Sequence, residues 1–255
     1  MEDLSKLEQF GFQPMGNFTP EDVFVIGYPK SGNTLLQHIL AHLVFGLRAD
    51  TPKTLINSCV TEYYNNPKFF RYNQRHFFKS HERPNEQYKN VIYIVRDGRA
   101  AVRSHYYMMR FLNKDCSLEQ LYADGGSTFV GTWVDHVKEW SENKYNANIL
   151  YVKYEELLED KMNELSRICN FLNIFRTPLE LQNVVDATSL ENMKQMESDY
   201  SWKRMKTFKN WKEEGRFVRE GKTAGHSMDD QIEPEWIEKF EEISASMLKE
   251  YNYLS

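Results

Sequence analysis

Long apolar runs and cysteine are both scarce in this chain of 255 residues. No segment approaches the roughly 18 uncharged apolar residues of a membrane-spanning helix, and the start, Met1–Lys6, lacks the basic flank and apolar core of a secretory signal. The 3 cysteines, Cys59, Cys116 and Cys169, fit neither a disulfide framework nor a zinc cluster, because they are odd in number and widely separated. We therefore expect a cytoplasmic protein that has no membrane partner and whose cysteines are buried free thiols.

An excess of positive charge is also missing. The formal net charge is −5, so nucleic acid is not an expected partner. The hydrophobic fraction of 41% and the charged fraction of 27% are typical of a globular protein, and 14% aromatic residues suffice to line a small-molecule pocket. A single domain over residues 1–255 is expected, since the chain has the length of one large α/β domain.

Three short apolar runs are each followed by a segment with helical periodicity. Strands that alternate with helices predict an α/β fold with a P-loop-like, doubly wound parallel sheet flanked by helices. The predicted strands are residues 23–26, 91–95 and 149–152, and the predicted helices include residues 34–45 and 100–111.

The remaining segments have little periodicity. Residues 1–22 are interpreted as a loop-rich lead-in, and residues 59–90 as an irregular insertion rich in aromatic rings. Residues 200–230 carry scattered Lys, Arg and Gly, and one hypothesis for them is a lid that also serves a phosphate site. A final helix is expected after Pro234.

The most informative stretch, residues 27–35, joins the first predicted strand to the first predicted helix. Gly27 and Gly32 have the spacing of the nucleotide-binding P-loop, GxxxxGK[ST], but Asn33 replaces its lysine and Lys30 stands earlier. Such a turn points backbone N–H groups and the positive end of a helix at an anion. A phosphorylated ligand is predicted here, with an ordinary turn as the alternative.

A second anion site is predicted at the end of the second strand. P-loop NTPases usually carry a magnesium-binding aspartate there, whereas this chain has Arg96, whose planar fork binds phosphate. Ser104 follows early in the next helix and is placed to share the anion. Asp97 is interpreted as a helix N-cap in preference to a metal ligand. Two anion sites suit a nucleotide with phosphates at both ends.

One histidine lies between these two sites in the sequence. His81, in the run Lys79-Ser80-His81, is a candidate general base, because imidazole titrates near neutrality. A solvated loop histidine is the alternative.

Taken together, these residues resemble the sulfotransferases that use 3'-phosphoadenosine 5'-phosphosulfate (PAPS), particularly their soluble small-molecule branch. The family's loop YPKSGTTW reads Tyr28–Leu35 here, and its Lys-Thr-His reads Lys79-Ser80-His81. The resemblance implies transfer of a sulfuryl group from PAPS to a hydroxyl or amine of a small molecule. Adenosine 3',5'-bisphosphate (PAP) would be released, and no metal would be required.

The resemblance also implies residue roles. His81 would be the catalytic base, and Lys30 and Lys79 would stabilise charge on the transferring group and the leaving phosphate. The implied cofactor-binding residues are Lys30, Ser31, Gly32, Asn33, Thr34 and Leu35 in the loop, Arg96, Ser104, Arg219 and Gly221 at the 3'-phosphate, and Tyr154, Thr188, Ser189 and Leu190 near the adenine.

The chain departs from the family pattern in three places. Leu35 replaces a tryptophan that stacks on adenine, and Glu220 replaces a cation between Arg219 and Gly221. The family's C-terminal dimerisation motif is not recognisable, so that dimer is not predicted and the oligomeric state stays open.

The acceptor is open among phenols, alcohols, amines and natural products. Rival functions are a variant P-loop kinase, which magnesium-dependent ATP turnover would reveal, and an inactive nucleotide-binding module. Candidate acceptor-site residues, with core packing as the alternative, are Tyr63, Tyr64, Tyr106, Tyr107 and Phe111.

Overall fold

The computed structural model describes residues 8–64, 66–112, 117–125, 130–199 and 235–254. Cys116, the predicted segment 200–230 and its residues Arg219 and Gly221 therefore lie outside the described residues, as does the side chain of Phe111. In the described ranges, Cys59 and Cys169 are buried free thiols, as predicted.

The strands in the described part of the chain form two sheets. The larger sheet has five strands and lies in the core. The smaller sheet has two antiparallel strands, which do not pair with the strands of the larger one. The strands are β1 (Phe12–Pro14), β2 (Val23–Ile26), β3 (Val60–Glu62), β4 (Lys68–Phe70), β5 (Phe77–Ser80), β6 (Asn90–Val95) and β7 (Asn148–Lys153). The large sheet has the order β3-β5-β2-β6-β7 and is parallel throughout.

Helices follow or connect these strands. Parallel strands need crossover connections, which helices usually supply. In chain order, the helices of the described ranges are α1 (Asn33–Phe45), α2 (Lys53–Cys59), α3 (Gly98–Phe111), α4 (Leu118–Ala123), α5 (Trp133–Glu142), α6 (Tyr154–Glu159), α7 (Lys161–Leu172), α8 (Pro178–Ala187), α9 (Leu190–Asp199) and α10 (Glu235–Glu250).

The central strand β2 is buried on both faces. Phe24 and Ile26 belong to an apolar cluster that includes side chains from α3, α5 and α10. Val23 and Val25 belong to a second cluster, with side chains from α1, α7 and α8. Since successive strand residues point to opposite faces, helices cover both sides of the sheet. The predicted doubly wound α/β fold is confirmed.

One sequence prediction about the first 90 residues is wrong. Residues 59–90 are not irregular, because they supply β3, β4 and β5. The described part of the predicted lead-in, residues 8–22, is mostly turn and loop and also contains β1, which pairs with β4. These strands are only 3 or 4 residues long, too short to display a period of two, and β5 ends in the polar pair Lys79-Ser80.

The register of the sheet brings the predicted site residues to one edge. Ile26 at the end of β2 pairs with Ser80 of β5 and with Tyr93 of β6. The chain therefore leaves the sheet at the same edge towards Gly27 and His81, and β6 ends shortly afterwards at Val95. Ligands of open parallel sheets bind at the carboxyl ends of such strands.

Candidate active site

The loop between β2 and α1 is held in an unusual backbone conformation. Gly32 has φ +109° and Lys30, which is not a glycine, has φ 69°. A left-handed residue with a side chain is uncommon and is tolerated where its surroundings enforce it. A Cβ atom on Gly27 would lie 2.4 Å from the carbonyl oxygen of Ile94, so only glycine allows the loop to pass this close to β6.

The loop ends at the N-terminus of α1, where helical N–H groups have no intrahelical acceptor. Ser31 is buried, and its Oγ has no hydrogen-bond partner among the described residues. A buried hydroxyl that lacks a partner costs free energy unless a ligand or water completes it. Hydroxyl and amide donors at a helix N-terminus fit the phosphate and sulfonate oxygens of PAPS.

Asn33 occupies the position of the P-loop lysine and ties the loop to β5. Its side-chain Nδ2 donates to the carbonyl oxygens of Gly27 at 3.1 Å and Ser80 at 3.3 Å. Asn33 was predicted to bind cofactor; these bonds give its amide nitrogen a second task, to hold the first residue of the loop against the adjacent strand.

Lys79 reaches from β5 to the first turn of α1. Its Nζ donates to Oγ1 of Thr34 at 3.1 Å and lies 2.7 Å from Oε1 of Glu62, the last residue of β3. All three residues are buried. Glu62 was not predicted from the sequence, because nothing in a lone glutamate at the edge of an unrecognised strand reveals its partner.

His81 lies directly after β5, and one ring nitrogen faces the loop. Its Nδ1 is 2.8 Å from the carbonyl oxygen of Gly27, so Nδ1 carries the proton and donates. Nε2 then has the free electron pair that a general base needs. Burial, together with the positive charges of Lys79 and Lys30, lowers the pKa of His81 from 6.5 to about 4, although the bond to Gly27 and the charge of Glu62 act in the other direction.

Tyr64 packs beside the candidate base. Its hydroxyl oxygen accepts from the backbone N–H of His81 at 3.0 Å and lies 3.3 Å from Oγ of Ser80. Its ring is nearly parallel to the imidazole of His81, with centroids 6.2 Å apart, and contacts Tyr63 edge-on at 5.3 Å. Tyr64 is 40% exposed, so part of this residue is accessible from outside the protein.

Helix α5 supports the His81 segment from behind. The Nε2 of His136 donates to the carbonyl oxygen of His81 at 3.0 Å, while Nδ1 accepts from the Tyr93 hydroxyl at 2.9 Å. The indole N–H of Trp140 donates to the carbonyl oxygen of Glu82 at 3.1 Å. Burial lowers the pKa of His136 to about 3, which keeps it neutral. This role could not be predicted from the sequence, because His136 lies 55 residues after its partner.

Arg96 lies directly after β6 and contacts the loop. Its Nη1 donates to the carbonyl oxygen of Lys30 at 3.0 Å, and its guanidinium lies 4.5 Å from the centroid of the Tyr154 ring. A Cβ on Gly32 would lie 2.6 Å from Cδ2 of the same tyrosine. Ser104 lies within α3 and is buried. Arg96 and Tyr154 are thus brought against the loop.

Asp97 acts as the N-cap of α3, as predicted. Its side chain accepts from the backbone N–H of Arg99 at 2.9 Å and also pairs with the Arg99 guanidinium. Among the described residues, His, Cys, Asp and Glu side chains do not gather in groups of three that could hold a metal ion.

The segment that the resemblance assigns to the adenine has its polar groups engaged. Thr188 is buried; its hydroxyl donates to the carbonyl oxygen of Val184 at 2.7 Å, and its own carbonyl accepts from Nζ of Lys161 at 2.8 Å. Ser189 accepts from the backbone N–H of Asn192 at 3.3 Å. Leu190 is 41% exposed at the start of α9.

The other candidate residues have mixed surroundings. Leu35 packs partly against the cluster of α1, α7 and α8. Tyr106 packs against the opposite cluster, and Tyr107 is half-buried with its ring 5.7 Å from that of Tyr106. Phe111 ends α3. No helix in the described ranges has both the length and the apolar character to cross a bilayer.

The fold and the site define an α/β protein of the nucleotide-binding class, in which the glycine-bracketed loop of residues 27–32 and His81 lie at the carboxyl edge of a parallel sheet. The sulfotransferase domain family matches residues 20–252, and the chain belongs to this family. It is therefore a sulfotransferase, which moves a sulfuryl group from PAPS to a small-molecule acceptor. The kinase and inactive-module alternatives are not favoured.

Two curated relatives align with this chain over most of the length of both proteins. An amine sulfotransferase of Oryctolagus cuniculus is 28% identical, over 98% of this chain and 86% of that protein. Cytosolic sulfotransferase 1 of Danio rerio is 26% identical, over 88% of this chain and 83% of that protein.

Solved structures show the same fold at lower identity. Retinol dehydratase, in complex with androsterone and the inactive cofactor PAP, has a TM-score of 0.71 and 21% identity over 92% of this chain and 82% of that one. A mouse sulfotransferase complexed with PAP has a TM-score of 0.64 and 22% identity over 94% and 91% of the two chains.

Proposed function

We propose that His81 is the general base of the sulfuryl transfer and that Lys30 and Lys79 stabilise the charge on the transferring group. The observation that carries this proposal is the bond from Nδ1 of His81 to the carbonyl oxygen of Gly27. It fixes the tautomer in which Nε2 accepts a proton, at the first residue of the anion loop. A lowered pKa keeps that nitrogen unprotonated at neutral pH.

When bound, PAPS supplies an activated sulfuryl group. The chain's residues then have separate tasks. Ser31, Gly32, Asn33 and Thr34 would hold the 5'-phosphate with hydroxyl and backbone N–H donors, and Lys30 and Lys79 would place positive charge beside it. Nε2 of His81 would take the proton from the acceptor's O–H or N–H as the new bond forms.

The remaining cofactor residues are assigned in the same proposal. The 3'-phosphate would be held by Arg96, Ser104, Arg219 and Gly221. The adenine would be approached by Leu35, Tyr154, Thr188, Ser189 and Leu190. The support for Arg96 is its bond to the carbonyl oxygen of Lys30, which joins the two predicted anion sites physically.

The acceptor would bind against the partly exposed Tyr64, next to His81. Tyr63 and Tyr64 form a continuous edge-on pair of rings there, which favours an acceptor with an apolar body. Tyr106, Tyr107 and Phe111 are the further candidates on α3. One relative is an amine sulfotransferase, and the similar retinol dehydratase binds androsterone, in accord with amine or hydroxyl acceptors.

We also propose a cytoplasmic location, which the relative named a cytosolic sulfotransferase supports. The partners would be small molecules, without nucleic acid or membrane, in accord with the acidic net charge of −5.

The direct test of the base is His81→Asn, since the asparagine amide can still donate to Gly27. We expect kcat to fall by about 10²–10⁴-fold, the usual contribution of a general base, while calorimetry shows that PAP still binds. The matched control is His42→Asn, because Nδ1 of His42 also donates to a backbone carbonyl, that of Leu47 at 3.0 Å, near the far end of α1. Turnover of His81→Asn within a few fold of the control variant contradicts the assignment.

A further inference from the structure

Glu62 is a buried carboxylate at the edge of the site, and it has no role in the reaction proposed above. It ends β3, is 9% exposed, and lies 2.7 Å through Oε1 from Nζ of Lys79. Burying two charges costs free energy that their mutual attraction repays only with good geometry. A pair at this place therefore invites a functional explanation.

The ammonium group of Lys79 has three N–H donors. One points to Glu62 and a second to Oγ1 of Thr34 at 3.1 Å. Within the described residues these are its two hydrogen-bond partners, so the third N–H is left for a ligand oxygen. Because β3, β5 and α1 each supply one member, the ammonium is fixed from three directions.

The same arrangement orients the Thr34 hydroxyl. The Thr34 oxygen accepts from Lys79, so its O–H proton is available to a different acceptor. The hydroxyl lies in the first turn of α1, where the anion is expected. Without Glu62, a flexible lysine side chain would lose this fixed geometry, and the Thr34 hydroxyl would lose its orienting donor.

We propose that Glu62 is a positioning residue for sulfuryl transfer, which holds the Lys79 ammonium between β3 and α1 so that one N–H of Lys79 and the O–H of Thr34 face the bound donor. The inference rests on the proposed function of Lys79. Glu62 acts on the reaction through Lys79 and does not itself touch the reacting atoms.

The test is Glu62→Gln, which keeps the side-chain shape and removes the charge. We expect kcat to fall by about 10–100-fold, as small misplacements of catalytic groups do, while the Kd for PAP stays within a few fold of wild type. The matched control is Glu164→Gln: Glu164 is also buried and paired, to Arg167 at 2.7 Å, but it lies on α7. Thermal unfolding of both variants checks that each is folded.

A second readout needs no turnover. The negative charge of Glu62 raises the pKa of His81, so Glu62→Gln lowers that pKa further, as histidine NMR of the free protein will show. Glu164→Gln leaves it unchanged. If Glu62→Gln and Glu164→Gln have equal kcat and equal His81 titrations, Glu62 is only a structural ion-pair partner and the inference is wrong.

A double-mutant cycle separates this inference from the proposed function. In a Lys79→Met background, Glu62→Gln is expected to cause no further loss of kcat, because the two residues act as one unit. A full additional loss means that Glu62 acts independently of Lys79, which overturns the proposal. If Lys79→Met alone keeps the wild-type kcat, the proposed role of Lys79 fails as well; if only Glu62→Gln is harmless, the inference alone fails.

Discussion

At the scale of single residues, the state of His81 follows from its neighbours. Its imidazole is half-buried, donates through Nδ1 to Gly27 and lies near Lys79 and Lys30. Burial and the two nearby lysines each disfavour the doubly protonated imidazole. We therefore expect the pKa of His81 in the ligand-free protein to be near 4, well below 6.5. Titration of labelled histidines by NMR, with His81→Asn to assign the resonance, measures it directly. A pKa of 6 or higher would contradict the described environment.

Tyr64 provides a second residue-scale prediction. Its hydroxyl oxygen accepts from the backbone N–H of His81, so Tyr64→Phe leaves that donor without its acceptor and costs about 1 kcal/mol of stability. We expect kcat to fall several-fold, because the base loses one of its supports. Tyr72→Phe is the control, since the Tyr72 hydroxyl donates to the carbonyl oxygen of Cys59 at 2.9 Å, away from His81. Equal kcat in both variants would remove Tyr64 from the positioning of His81.

At the scale of elements, the turn from β2 into α1 depends on glycine. A Cβ on Gly27 would meet the backbone oxygen of Ile94 at 2.4 Å, and backbone cannot move aside as a side chain can. We expect Gly27→Ala to displace the loop and abolish PAP binding in calorimetry. Gly46→Ala is the control: at φ +62° it strains the C-cap of α1 but meets no atom within 4 Å. The prediction fails if Gly27→Ala binds PAP as tightly as Gly46→Ala.

The same elements show which part of the site was predictable from sequence. The β2 loop and Arg96 were singled out because each follows a predicted strand and glycine or charge marks the place, and His81 was singled out because it lies between them in the sequence. Glu62 and His136 were not found, because their roles arise from contacts between segments far apart in the chain. Long apolar strands such as β6 were predicted within a residue, whereas β3 and β5 were missed because 3 or 4 residues carry too little periodicity.

At the scale of the whole molecule, several histidines are held neutral by the fold. Burial is the largest cause in each case, and it lowers the pKa from 6.5 to about 4 for His76 and His81 and to about 3 for His38 and His136. In the unfolded chain these residues take up protons as the pH falls through 6.5, while the folded protein does not until about pH 4. The unfolded state therefore binds more protons in this window, and acid destabilises the fold.

We expect the free energy of unfolding to decrease from pH 7 towards pH 4.5, by up to about 1.4 kcal/mol per pH unit for each such histidine. Urea unfolding at a series of pH values measures the slope. His76 offers the matched variant, because its ring forms a hydrogen bond with Thr61 at 2.9 Å and lies outside the proposed catalytic residues. His76→Asn should remove the contribution of one histidine to the slope of stability against pH. Burial raises the pKa of Glu155, so this carboxyl favours the folded state as the pH falls, but it is one group against these four histidines. Stability that is constant or rises as the pH falls would show that these histidines are protonated in the folded protein.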